Sequence, residues 1–73
     1  MVRLRIQEIL IEKEKSKYWL CKKMQGMSYQ NLLFIVTNKT NKISFDTLDK
    51  LSKALEVPVG DLFEQIEENT DNP

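Results

Sequence analysis

Val2, Leu4 and Ile6 alternate with Arg3, Arg5 and Gln7, a period of two that predicts a short extended segment. From Ile6 the spacing through Ile9 and Leu10 becomes helical, which predicts a first helix over about residues 5–14. Ser16 stands where an N-cap belongs, ahead of Leu20, Cys21 and Met24 at helical spacing, so a second helix is predicted over about 17–24. Gln25-Gly26-Met27 breaks it, because glycine tolerates a left-handed backbone, and Ser28 repeats the cap ahead of a third helix over about 29–37. Asn38 to Lys42 contains no apolar residue and reads as a solvent-facing loop. Ile43 and Phe45 suit an extended pair lying against Val2 and Leu4, and Ser44 caps a fourth helix, about 46–56, with the stripe Leu48, Leu51, Leu55. Val57-Pro58-Val59-Gly60 ends it. Pro58 can then open a fifth helix, about 59–68, with Leu62, Phe63 and Ile66 facing inward.

Five short helices with brief connections predict an all-α bundle around one core, as a domain of residues 1–68 followed by a frayed polar tail, 69–73. The predicted core is Leu4, Ile6, Leu10, Leu20, Cys21, Met24, Met27, Leu32, Ile35, Ile43, Leu48, Leu51, Leu55, Val57, Val59, Leu62 and Phe63. Cys21 reads as a small apolar filler rather than a reactive thiol.

Composition narrows the chemistry. In 73 residues there is no His and one Cys, so a Cys/His zinc cluster, a Ser-His-Asp relay, a Cys-His pair and an internal disulfide all lie outside the reach of a single chain. Neither metal nor cofactor is expected. Enzymatic activity is not expected either, because the carboxylate clusters Glu12/Glu14 and Glu64/Glu67/Glu68 have no pocket in prospect to perturb them. The lone thiol and the absence of a long apolar run suit a cytoplasmic protein without a membrane span.

Net charge is zero, but its distribution is two-ended. Residues 1–45 hold nine basic groups against three acids, and residues 46–73 hold two against eight. The first half can therefore face a polyanion while the second points away, although a solvated charged surface gives the same pattern.

Two short Ser-capped helices around a Gly-containing turn form a helix-turn-helix, a unit whose second helix can enter the major groove of DNA. The C-terminal run Thr47-Leu48-Asp49-Lys50-Leu51-Ser52-Lys53-Ala54-Leu55-Glu56-Val57-Pro58-Val59-Gly60-Asp61-Leu62-Phe63 adds a second pattern. With Ser16, Leu20, Cys21, Gly26, Met27, Ser28, Leu32, Ile35 and Asn38 to Thr40, the chain resembles the Cro and phage-repressor (XRE) family of helix-turn-helix proteins over nearly its whole length. The resemblance implies a five-helix, usually homodimeric regulator, here a repressor, that reads a near-palindromic site in double-stranded DNA.

Carried over by position, Tyr29, Gln30 and Asn31 match residues that reach base edges, and amide side chains can pair bidentately with adenine. Lys17 matches a phosphate contact at the start of the second helix, and Lys22, further along that helix, is a second candidate. Lys39, Thr40, Asn41 and Lys42 match a second backbone contact after the third helix, where charge sets affinity without reading sequence. Ser28 can touch phosphate, but its first role is as a cap, as is that of Ser16.

The chain differs from its relatives in three respects. The interval from Ser16 to Ser28 is one residue longer than usual. Leu32 to Val36 is an unbroken apolar run that cannot all face one core; Phe34 can add core packing, meet a thymine methyl or belong to a protein-binding patch, of which we rank core packing first. Tyr18 and Trp19 lie off the buried stripe of the second helix and either pack beneath the N-terminal segment or anchor a partner. A second reading follows: a protein-interaction module on the same fold, antitoxin-like or a phage-encoded inhibitor, docking through Tyr18, Trp19 and Phe34.

Overall fold

The computed structural model describes residues 1–40 and 42–66. In chain order these form strand β1 (Val2–Leu4), helices α1 (Ile6–Glu12), α2 (Lys17–Lys23), α3 (Tyr29–Val36) and α4 (Phe45–Leu55), a 3-10 turn (Val59–Leu62) and strand β2 (Phe63–Gln65). The first four helices follow the sequence pattern closely. Ser16, Ser28 and Ser44 each accept the backbone N–H three residues on, from Trp19, Asn31 and Thr47 respectively. Each such cap contributes about 1 kcal/mol and fixes where its helix begins.

Three of the four helices end on a residue in the left-handed conformation that is not glycine: Glu14 after α1, Asn38 after α3 and Glu56 after α4. At each end the following N–H folds back on the last turn, Lys15 to Leu10 O (2.9 Å), Lys39 to Phe34 O (2.8 Å) and Val57 to Ser52 O (3.1 Å). This satisfies carbonyls that a helix end leaves without partners. Between α2 and α3 the same job falls to Gly26, at φ +90°, with open space where a Cβ would project. The turn is closed by Met27 N–H on Met24 O at 3.1 Å, with Cys21 Sγ 3.7 Å from Met27 O.

A fifth helix over 59–68 and an extended pair at 43–45 are both overturned. Phe45 opens α4 under the Ser44 cap and is therefore unable to enter a strand. After Pro58 one 3-10 turn drives Leu62 into the core, and the chain then extends antiparallel to β1, pairing Val2 with Gln65, Arg3 with Glu64 and Leu4 with Phe63. Residues 67 and 68, and the tail 69–73, lie outside the described residues. Local helix formers lose to tertiary demand because the polar backbone of β1 must be paired. Arg5 N–H reaches Leu62 O at 2.7 Å and Ile66 N–H reaches Met1 O at 2.7 Å, while Arg3 bridges to Glu8 and, at 2.6 Å, to Glu64.

The core is Leu4, Ile6, Ile9, Leu10, Leu20, Met24, Leu32, Ile35, Val36, Leu48, Leu51, Leu55 and Leu62. Trp19, Cys21, Met27, Ile43, Val57 and Phe63 pack half-buried around it. Val59, predicted inside, is exposed, because the tight 3-10 turn gives the interior position to Leu62. Ile9 and Val36 were missing from the predicted core and are buried.

On its outer edge β1 meets a side chain. Asn38 Oδ1 accepts the Leu4 N–H at 2.7 Å and Asn38 Nδ2 donates to Leu4 O at 2.9 Å, so one amide completes the pairing that a third strand would supply. This ties the C-terminal end of α3 to the N-terminal strand.

Candidate nucleic-acid interface

Helix α3 lies with Leu32, Ile35 and Val36 against the core and Leu33 half-buried, which leaves Tyr29, Gln30, Asn31 and Phe34 on the outside. A period of 3.6 residues sorts the apolar run in this way: no more than three of its five members can be fully covered by one core. Phe34 is therefore not core packing, as first ranked, but 44% exposed. It borders a shallow concavity of about 390 Å³ together with Lys39, Thr40 and Lys42. The loop that carries these residues is braced by Thr40, whose hydroxyl donates to Lys42 O at 2.7 Å, and by Thr37, whose hydroxyl donates to Leu33 O at 2.6 Å. Asn41 lies outside the described residues.

Tyr29, Gln30 and Asn31 occupy the exposed first turn of α3, just beyond the Ser28 cap. Asn31 also lines a polar concavity of about 250 Å³ with Gln25, Gly26, Thr47 and Lys50, which keeps that side of the turn open to a ligand. Tyr29 does not stand alone. Its ring meets the ring of Tyr18 edge-on, with centroids 6.5 Å apart and planes at 61°. The ammonium of Lys22 lies 5.1 Å from the centre of the Tyr18 ring. Tyr18 is 63% exposed, so it does not pack beneath the N-terminal segment. Trp19 is drawn half onto the core, with Lys15 and Lys23 at 5.1 and 5.6 Å from its ring.

Ion pairing sharpens the charge asymmetry. Arg3 is engaged by Glu8 and Glu64, Arg5 by Glu12 at 3.6 Å, and on α4 Lys50 and Lys53 pair with Asp46 and Asp49 one turn away. Between Lys15 and Phe45 the sequence holds Lys15, Lys17, Lys22, Lys23, Lys39 and Lys42 and no carboxylate. None of these six makes a salt bridge with a described residue. Among the described residues, the helix-turn-helix and its flanks thus carry positive charge that no ion pair offsets, while the sheet and α4 neutralise themselves. Sequence reasoning placed Asn38 in a solvent-facing loop and missed its two bonds to Leu4; the local signal for it was an Asn directly after a helix, where the left-handed conformation is common.

Among the described residues no cluster of His, Cys, Asp and Glu is arranged to hold a metal ion, and no helix is long and apolar enough to cross a membrane. An exposed recognition-type helix behind a Gly turn, flanked by lysines that make no salt bridge with a described residue, has the form of a helix-turn-helix DNA-binding domain. The chain belongs to the Cro/C1-type HTH DNA-binding domain family, whose model matches residues 5–68. It is also similar to the crystal structure of a candidate DNA-binding protein from Bacteroides fragilis, with a TM-score of 0.76 and 31% identity, covering 88% of this chain and 100% of that one. No curated protein matches the chain.

Proposed function

We propose that the protein is a sequence-specific transcriptional regulator that acts in the cytoplasm as a repressor, occupying a near-palindromic operator with α3 in the major groove. The observation that carries this reading is the set of six lysines without salt bridges to described residues on the segment, residues 15–42, that also exposes Tyr29, Gln30 and Asn31. In it, Tyr29, Gln30 and Asn31 touch base edges, while Lys17, Lys22, Lys39, Thr40 and Lys42 hold the phosphates. Phe34 shares its concavity with Lys39, Thr40 and Lys42, which favours a place beside the sugar-phosphate backbone over a base contact. The eight residues of α3 span about 12 Å and read only a few base pairs, so the working unit is a homodimer with its two α3 helices about 34–36 Å apart.

Docking of a protein partner through Tyr18, Trp19 and Phe34 has less support. Trp19 is drawn onto the core, and Phe34 and Tyr18 border separate concavities, the latter with Tyr29 and Lys17.

The test is fluorescence anisotropy with a pool of labelled genomic duplexes at roughly 50 and 200 mM salt, a range over which a phosphate-dominated binder loses a factor of about 10³ or more. Four phosphates neutralised per subunit give a log–log slope of roughly −7 for the dimer. A slope shallower than about −2, or no binding at the lower salt, overturns the reading and directs the search to a protein partner.

A further inference from the structure

The contact between Tyr18 and Tyr29 joins two helices at the point where the recognition surface begins, and it contributes little to the fold. Both rings are largely outside the core, Tyr18 at 63% and Tyr29 at 43% exposure. Tyr29 is the first residue of α3, whereas Tyr18 lies in the first turn of α2. Leu20 of α2 and Met24, its C-cap, meet the core, so Tyr18 and Lys22, one turn apart, share the outward side. Three groups therefore follow one another across the surface: the Lys22 ammonium over the Tyr18 ring, and the Tyr18 ring edge-on to Tyr29.

A tyrosine on an exposed helix turn samples several rotamers, and holding it in one on binding costs affinity. A neighbouring ring in edge-to-face contact populates one arrangement in advance. We infer that Tyr18 is a positioning residue for DNA reading: it fixes the Tyr29 ring for its base contact, and Lys22, stacked on Tyr18, links that contact to the phosphate beside it. The inference rests on the DNA-binding reading above and goes beyond it, because it moves Tyr18 from a protein anchor to the base-reading apparatus. It also gives α2 a part in sequence preference as well as in affinity.

The test is selection of randomised duplexes of about 20 base pairs by the full chain and by Tyr18→Ala, Tyr18→Phe, Tyr29→Ala and the double variant Tyr18→Ala/Tyr29→Ala, followed by titration of the enriched duplex. Thermal melts of each variant check that the fold is kept. Tyr18→Ala is expected to weaken binding about two- to tenfold per half-site and to flatten the preference at the same base pair that Tyr29→Ala flattens. Tyr18→Phe is expected to bind and select as the native chain does, since the ring edge is retained. In the Tyr29→Ala background, loss of Tyr18 is expected to have no further effect, the mark of a coupled pair. The inference is overturned if Tyr18→Ala leaves the preference intact, if its effect adds in full to that of Tyr29→Ala, or if Tyr18→Phe loses as much as Tyr18→Ala, which would assign the role to the hydroxyl. A native chain that enriches no sequence overturns the DNA reading, and this inference with it.

Discussion

Replacing Asn38 by Ala removes two hydrogen bonds of 2.7 and 2.9 Å and leaves the N–H and C=O of the buried Leu4 without partners. At about 1 kcal/mol each these cost about 2 kcal/mol. The position is left-handed, at φ 59°, where Ala is worse than Asn by roughly a further 1 kcal/mol. The expected loss of about 3 kcal/mol is large against the roughly 4–11 kcal/mol that a chain of 73 residues has in total. Asn38→Gly relieves the backbone and loses only the hydrogen bonds, so it should fall between Ala and the native protein. Urea titration followed by far-UV circular dichroism reads the difference: with a slope of about 1–1.5 kcal/mol/M, the midpoint of Asn38→Ala drops by about 2–3 M. Exchange of the Leu4 amide should accelerate in both variants. A change within about 0.5 kcal/mol for Asn38→Ala, or a Gly variant as unstable as the Ala one, would refute the role given to this amide.

Neutralising Lys39 and Lys42 together as Gln removes four phosphate contacts from the proposed dimer, so the salt slope should fall from about −7 to about −3.5 with sequence preference kept; an unchanged slope removes the loop from the interface. Gln30→Ala and Asn31→Ala should act in the opposite sense, each reducing discrimination at one base pair by about 1–3 kcal/mol while the slope stays constant, and selection from randomised duplexes decides the matter. Glu56→Gly places glycine at the left-handed end of α4, φ 58°, and takes a carboxylate away from a helix C-terminus, so stability should rise by about 0.5–1 kcal/mol and the melting temperature by a few degrees. A lower melting temperature would contradict the strain ascribed to that position.

Helices α2 to α4 were legible because each is announced locally: a Ser whose hydroxyl meets the third N–H on, a stripe at helical spacing, and a polar or Gly-bearing stop; α1, which has no side-chain cap, showed only its stripe of Ile6, Ile9 and Leu10. What was not legible is set by distant partners. Phe63-Glu64-Gln65 carries helix-forming residues and adopts a strand because Arg3 and its neighbours, some sixty positions earlier, present an unpaired backbone and a complementary charge. Phe63-Glu64-Gln65 lacks the apolar-polar-apolar alternation of Val2 to Leu4, which Ile43-Ser44-Phe45 has, so nothing local ranks the true pairing above Ile43 to Phe45. The same holds at the candidate interface. Tyr29, Gln30 and Asn31 are exposed as helical phase requires, whereas the side of α2 on which Tyr18 lies, and its contact with Tyr29, depend on how α2 and α3 cross. The lysines that matter were visible as a count, but only the ion pairs of Arg3, Arg5, Lys50 and Lys53 separate the cations that carboxylates of the described residues engage from the rest.

The sheet gives synthesis an order. β1 is made before helices α1 to α4, and its partner β2 follows only after them, so the ladder from Met1 to Ile66 is the longest loop closure among the described residues and must come late. Asn38 emerges well before Phe63. During that interval its amide, with the packing of the Leu4 side chain in the core, can hold Leu4 in place, so an unfinished chain can already carry a docked β1 segment against the end of α3.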